Sequence, residues 1–163
     1  AVIRRVKPDV VITFDSDGVY GHPDHITVHE RTTTVVNQMQ HNPPALYYAS
    51  IPSGAMRTLV DHVKDACQAR NDLPTPPQSI LGVDNPDAWG CEKLPPTLVI
   101  DAKAYGATKL EALACHHSQF ENSALAHVAL EDAPKLLNKE HYRRAQIGNQ
   151  GVTFIEDLVQ PED

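Results

Sequence analysis

Asp9-Val10-Val11-Ile12-Thr13-Phe14-Asp15 is a short apolar run closed by an acid, and the residues that follow, Ser16-Asp17-Gly18, are turn formers. A continuous run of this length, rich in β-branched side chains, predicts a buried strand of a parallel sheet. Upstream, Val2, Ile3 and Val6 would face a core while Arg4, Arg5 and Lys7 face water. Residues 1–7 therefore read as the end of a helix that Pro8 stops. Downstream, Pro23-Asp24 opens a helix expected to continue to about Gln40. Proline suits the first turn, and an acid there suits the positive end of the helix dipole.

The rest of the chain repeats the alternation. Ala45 to Ile51 reads as a second strand. Leu59, Val60, Val63 and Cys67 recur at helical spacing, so residues 54–70 form an amphipathic helix. Residues 71–96 hold prolines 74, 76, 77, 86, 95 and 96 with Gly82 and Gly90, and predict a long irregular loop near a binding site or at an edge. Thr97-Leu98-Val99-Ile100-Asp101 is a further buried strand, and Leu110, Leu113 and Ala114 mark a helix from about Tyr105. Residues 122–145 read as largely helical, interrupted at Pro134, and Gly151 to Ile155 as a late strand. Strands alternating with helices imply an α/β class, a Rossmann-like layered fold with a mainly parallel sheet flanked by helices. A chain that starts inside a helix leading straight to a buried strand is expected to be one domain, incomplete at its N-terminal side.

Composition narrows the function. The 163 residues are 41% hydrophobic and 21% charged with a net charge of -7, which argues against a nucleic-acid or anionic-membrane binder, since both need clustered Lys and Arg. No apolar run approaches the ~20 residues of a membrane span. Arg4, Arg5 and Lys7 interrupt the N-terminus, so no signal peptide is expected. Cys67, Cys91 and Cys115 are sparse and odd in number, which suits a reducing cytoplasm, and they form no CxxC zinc pattern. A nucleotide-binding domain is disfavoured because neither GxGxxG nor GxxxxGK[ST] occurs.

The chemistry concentrates in Tyr20-Gly21-His22-Pro23-Asp24-His25, just after the first strand, where α/β sheets bind ligands. Two histidines and a carboxylate within four residues can serve as ligand, proton donor and orienting acid. The bland alternative is a polar turn with a capping Asp24 and solvated histidines. His29 sits one turn after His25 on the same helix face and could chelate with it, although the glutamate of HExxH enzymes is missing. Asp15 either contacts substrate or a ligating group, or is a plain turn acid. Trp89 either stacks on a sugar ring or anchors packing. His41, His62, His127 and His141 read as solvated.

Val10-Val11-Ile12-Thr13-Phe14-Asp15 followed by the HPDH string resembles the second signature of the LmbE-like (PIG-L) N-acetylglucosaminyl deacetylase family. A second stretch agrees: Lys109-Leu110-Glu111-Ala112-Leu113-Ala114-Cys115-His116-His117-Ser118-Gln119 is similar to the family's Lys-x-x-Ala-Leu-x-x-His-x-Ser-Gln helix. The resemblance implies that residues 1–163 are the C-terminal portion of such a domain. It implies roles too: His25 as a zinc ligand, His22 as proton donor to the leaving amine, Asp24 as the acid that orients the site, and Tyr20 as a group polarising the acetyl carbonyl. His116 would support the site or contact substrate, or else cap a helix end, and Asp15 would face the substrate side. Zinc would polarise the amide carbonyl and lower the pKa of its water to about 7.

The family's other signature, Ala-His-Pro-Asp-Asp-Glu, supplies a His and an Asp to the metal and a second Asp as general base. It is absent here; Asn85-Pro86-Asp87 is no substitute. The expectation is a zinc-dependent hydrolase that removes an acetyl group from an N-acetylglucosamine-type sugar or conjugate. This chain alone should be inactive, relying on a missing N-terminal segment or self-associating. The alternative is a non-catalytic sugar-binding remnant.

Overall fold

The computed structural model describes residues 2–70 and 76–151. Its helices and strands run in the order α1 (Val2–Val6), β1 (Val10–Phe14), α2 (Gly18–Gly21), α3 (Pro23–Asn37), β2 (Ala45–Ala49), α4 (Ala55–Arg70), β3 (Leu98–Asp101), α5 (Gly106–Ala114), α6 (His117–Phe120), α7 (Ala133–Leu136) and β4 (Lys139–Gly148). Two compact units result. One contains the described residues within Ala1–Ile51, Cys91–Ile100 and His141–Asp163, and the other those within Pro52–Gly90 and Asp101–Glu140.

The first unit is built on a four-stranded sheet of order β1-β2-β4-β3. β1 and β2 are parallel, with Thr13 opposite Tyr48. β2 and β4 are antiparallel, with Tyr48 opposite Arg143. The chain is thus α/β with a mixed sheet, where alternation of elements had suggested a mainly parallel one. The difference lies in β4, which occupies a stretch that reads as helix. Its side chains alternate: Arg143, Ala145 and Ile147 share the face of Tyr48 and Leu46, while Tyr142 and Arg144 share the face of Tyr47. Two adjacent arginines at the end of that stretch flank the sheet, with Arg143 over the Tyr48 ring and Arg144 over the Tyr47 ring. The late strand expected at Gly151 to Ile155 lies outside the described residues except for Gly151, which is a bend.

Each sheet face has its own cluster. Val36 of α3 packs with Leu46, Tyr48 and Ala145, joined by Ile3, Val11 and Ile147. On the opposite face Ala45 and Tyr47 pack with Val10, Leu98, Ile100 and Tyr142. Burying an aliphatic side chain of this size contributes about 1.5–3 kcal/mol, so the few residues at the centre of β2 hold the unit together. Among the described residues β1 lies at the edge of the sheet and is less buried than its apolar sequence suggests, with Ile12 52% exposed. β3 alternates rather than being buried throughout, with Val99 48% exposed.

In the second unit α4 buries Leu59, Val60, Val63 and Cys67, the stripe its periodicity predicts. Residues 76–96 are irregular apart from one 3₁₀ turn, Pro86–Ala88, and a bridge between Ile80 and Val83. Ser123, fully buried, is tied to this loop: Leu81 N–H donates to its hydroxyl at 3.2 Å. Gly106 lets α5 approach α7, because a Cβ there would stand 2.6 Å from the Ala133 carbonyl oxygen. Where a helix was expected over 122–145, the chain forms a 3₁₀ turn, Ala124–His127, then α7, then β4. Among the described residues no helix is long and apolar enough to cross a membrane.

Candidate active site

β1 ends at Phe14, and the next eight residues form a tight, unusual turn. Asp15 C=O accepts the Gly18 N–H at 3.0 Å, and Asp17 C=O accepts the Gly21 N–H at 2.9 Å. The Asp17 carboxylate caps α2 by accepting the Val19 N–H at 3.0 Å. Three residues take positive φ: Gly18 at 61°, Val19 at 69° and Gly21 at 81°. For a β-branched residue this conformation is strained by about 1–3 kcal/mol. Val19 is buried, and its N–H is held by Asp17, so packing and cap together keep it there. Gly18 is required for space as well, since a Cβ would fall 2.8 Å from Ile26 Cγ1.

The turn delivers three rings to one place. His22 is the N-cap of α3, with Pro23 in the first turn, and its Nδ1 accepts the Asp24 N–H at 3.2 Å. His25 Nδ1 lies 3.1 Å from the Gly18 carbonyl. A carbonyl only accepts, so Nδ1 carries the hydrogen, and the neutral ring with that tautomer keeps its lone pair on Nε2. The His25 ring stacks on Phe14 with centroids 3.9 Å apart and planes within 9°. The His22 and His25 centroids are 4.7 Å apart. Tyr20 stands edge-on to both, at 5.7 Å from His22 and 5.3 Å from His25.

The remaining expected residues fall out as follows. Asp24 is exposed, and it meets His22 through its backbone N–H. Asp15 is 1% exposed and uses both carboxylate oxygens within the protein: Arg143 Nε donates to Oδ2 at 2.7 Å, Arg143 Nη2 to Oδ1 at 2.6 Å, and Ser16 N–H to Oδ1 at 2.6 Å. The bond to Asp15 raises the Arg143 guanidinium further above its ordinary pKa. His116 belongs to the second unit, where it is exposed at the start of α6 and its carbonyl accepts the Gln119 and Phe120 N–H groups. Trp89 is buried in that unit, as a packing anchor would be. His62 is partly exposed, and it also has a partner: its Nε2 sits 3.3 Å from Asp132 Oδ2.

His29, weighed as a chelating partner of His25, donates its Nδ1–H to the Phe14 carbonyl at 2.9 Å and leans on the Tyr48 ring at 4.8 Å. Sequence reasoning missed Arg143 and Tyr48. The alternation of Arg143, Ala145 and Ile147 was the available signal.

A zinc ion needs several such donors. His25 and His29 each have the tautomer a ligand requires, with Nδ1–H given to a carbonyl and Nε2 left for a cation. Among the described residues, however, no three His, Cys, Asp or Glu side chains form a group that could hold a metal ion. The residues present fit one corner of a zinc site and not a whole one.

The family model for GlcNAc-PI de-N-acetylase, PIG-L, matches residues 1–36, which contain the whole turn and α3 to within one residue of its end. Among curated proteins the chain is similar to several 1D-myo-inositol 2-acetamido-2-deoxy-alpha-D-glucopyranoside deacetylases. That of Acidothermus cellulolyticus is 38% identical over 119 residues, covering 72% of this chain and 38% of the relative. That of Rhodococcus jostii is 34% identical over 129 residues, covering 73% and 41%. That of Mycolicibacterium smegmatis is 31% identical over 150 residues, covering 87% and 48%. The chain spans about two fifths to one half of the length of these relatives. With the HPDH turn inside the matched segment and the similarity continuing over most of the sequence, the chain belongs to the PIG-L (LmbE-like) family.

Proposed function

We propose that this chain carries part of the active site of a zinc-dependent deacetylase that hydrolyses the acetamide of an N-acetylglucosamine-type sugar or conjugate. The observation that carries the reading is the Tyr20–His22–His25 cluster at the end of β1, three titratable rings within 5.7 Å of one another in an ordered turn. The names of the relatives support the substrate class.

In this reading His25 holds the zinc through Nε2. The metal, when bound, supplies Lewis-acid polarisation of the amide carbonyl. Further ligands and the general base come from sequence other than the described residues, which offer no three-ligand group. His22 is the general acid. Amide cleavage expels an amine that needs a proton, and an imidazolium supplies one near neutral pH. In that acid form both ring nitrogens carry hydrogen, so Nδ1 must release the Asp24 N–H it accepts in the neutral ring. Asp24, whose backbone N–H meets the His22 ring at the first turn of α3, is the acid that orients the site. Tyr20 donates toward the acetyl oxygen. Asp15, spent on Arg143, shapes the turn. The complete fold is Rossmann-like and the protein works in the cytoplasm.

The test is acetate release from N-acetylglucosaminyl-inositol by the full-length protein, before and after chelation and zinc re-addition. Zinc should restore the activity that chelation removes; full activity in metal-free protein would sink the proposal.

A further inference from the structure

Arg143 enters the site region from β4, 128 residues away in sequence from Asp15. An exposed ion pair is worth about 0–1 kcal/mol, whereas taking a carboxylate out of water costs several kcal/mol before any partner is counted. A pair whose acid is 1% exposed is therefore a poor device for stability alone, and its position shows what else it does.

Two chains of contacts start at Arg143 and both end on His25. The first runs through the backbone of the turn. Arg143 grips the Asp15 carboxylate through two bonds, Asp15 C=O takes the Gly18 N–H at 3.0 Å, and Gly18 C=O takes the His25 Nδ1–H at 3.1 Å. The second runs through rings. The Arg143 guanidinium lies 5.0 Å over the Tyr48 ring, whose hydroxyl is 3.2 Å from Thr33 Oγ1 on α3. Tyr48 supports His29 at 4.8 Å, His29 Nδ1–H holds the Phe14 carbonyl at 2.9 Å, and the Phe14 ring stacks on His25 at 3.9 Å. Thr13, Tyr48 and Arg143 lie in one register row across β1, β2 and β4, so the sheet itself fixes the start of both chains.

From this convergence we infer that Arg143 is a positioning residue for His25, holding that ring, through Asp15 and Gly18, in the tautomer whose Nε2 lone pair is available to a cation. The identity of the cation as zinc rests on the function proposed above. The planar fork of arginine is needed because it engages both Asp15 oxygens at once; a lysine ammonium makes a point contact and leaves one oxygen without it.

The experiment uses the full-length protein with Arg143→Lys and Arg143→Gln. Long-range ¹⁵N spectra of metal-free protein read the His25 tautomer, and competition with a chelator reads the affinity for zinc alone. The native protein should show His25 only as the Nδ1–H form. Arg143→Lys, which keeps the charge, should show a mixture of tautomers and a zinc dissociation constant raised about 10–100-fold, the usual effect of losing support behind a ligand. A single Nδ1–H tautomer with native zinc affinity in Arg143→Lys, accompanied only by a lower unfolding midpoint, would overturn the inference. If Arg143→Gln does not fold, the lysine variant decides. If the native protein neither binds zinc nor releases acetate, the proposed function fails, and the tautomer alone still upholds or overturns the role of Arg143.

Discussion

Replacing Gly18 and Gly21 by alanine separates backbone strain from close packing within one turn. Both glycines have positive φ, 61° and 81°, and an alanine held in the left-handed region costs about 1–2 kcal/mol. Both substitutions also stiffen the unfolded chain, which offsets about 0.4–1 kcal/mol in each case. The two sites differ in their surroundings. A Cβ at Gly21 meets nothing within 4 Å, whereas one at Gly18 falls 2.8 Å from Ile26 Cγ1, 3.4 Å from the Ile26 nitrogen and 3.5 Å from His25 Cβ. Ile26 sits in the first turns of α3 and must leave its rotamer or move the helix, at a further cost of about 0.5–1.5 kcal/mol. Gly18→Ala should therefore be less stable than Gly21→Ala by about that amount. Moving α3 also stretches the bond from His25 Nδ1 to the Gly18 carbonyl, so zinc affinity should fall about 10-fold or more in the Gly18 variant and stay near native in the other. Urea unfolding of metal-free protein gives the first difference, and chelator competition gives the second. Equal stability and equal zinc affinity in the two variants would refute the packing argument and the role given to the Gly18 carbonyl.

Other perturbations read other parts of the site. His25→Ala should lower the zinc content of the full-length protein, while His22→Ala should keep the metal and lose about 10²–10⁴ in kcat, the usual contribution of a general acid; equal metal loss by elemental analysis would show the assignments to be wrong. Residues 1–163 purified alone should bind zinc weakly and release no acetate, because the described part offers no three-ligand group; stoichiometric tight zinc with parental turnover would contradict this. Tyr47→Phe should leave stability unchanged or raise it by about 1 kcal/mol, since the Tyr47 hydroxyl is buried with no hydrogen-bond partner among the described residues. A lowered urea midpoint in that variant would mean that the hydroxyl is satisfied.

Local signals in the sequence were read correctly where the local chain decides the structure. Pro8 ends α1, Pro23 opens α3, and the stripe of Leu59, Val60, Val63 and Cys67 is the buried face of α4. Each depends on neighbours within one or two turns. The reading failed where a distant partner decides. Arg143 and Arg144 fall in the stretch that reads as helix, and only Tyr48 and Tyr47 of another strand, placed opposite them, make it a strand. Ile12 and Val99 looked buried in apolar runs because the sequence does not say which strands lie at the edges of the sheet. The partner of the partly exposed His62 was not legible because Asp132 is 70 residues away.

The same division runs through the site. The HPDH string announces its chemistry because histidines, a carboxylate and a helix-starting proline lie side by side. What fixes that chemistry is non-local and costly. The turn keeps a valine at positive φ, and a buried carboxylate is gripped through both oxygens by an arginine from β4. Neither feature favours folding by itself: the first is strained by about 1–3 kcal/mol, and the second requires desolvating a charge. Both bear on Asp15 to Val19, and that segment ends in a carbonyl network that leaves His25 one tautomer. A solvated polar turn would have no need of either cost. Their coincidence at the residues that hold His22 and His25 is the physical reason to read the turn as built for a reaction rather than as a polar connection between β1 and α3.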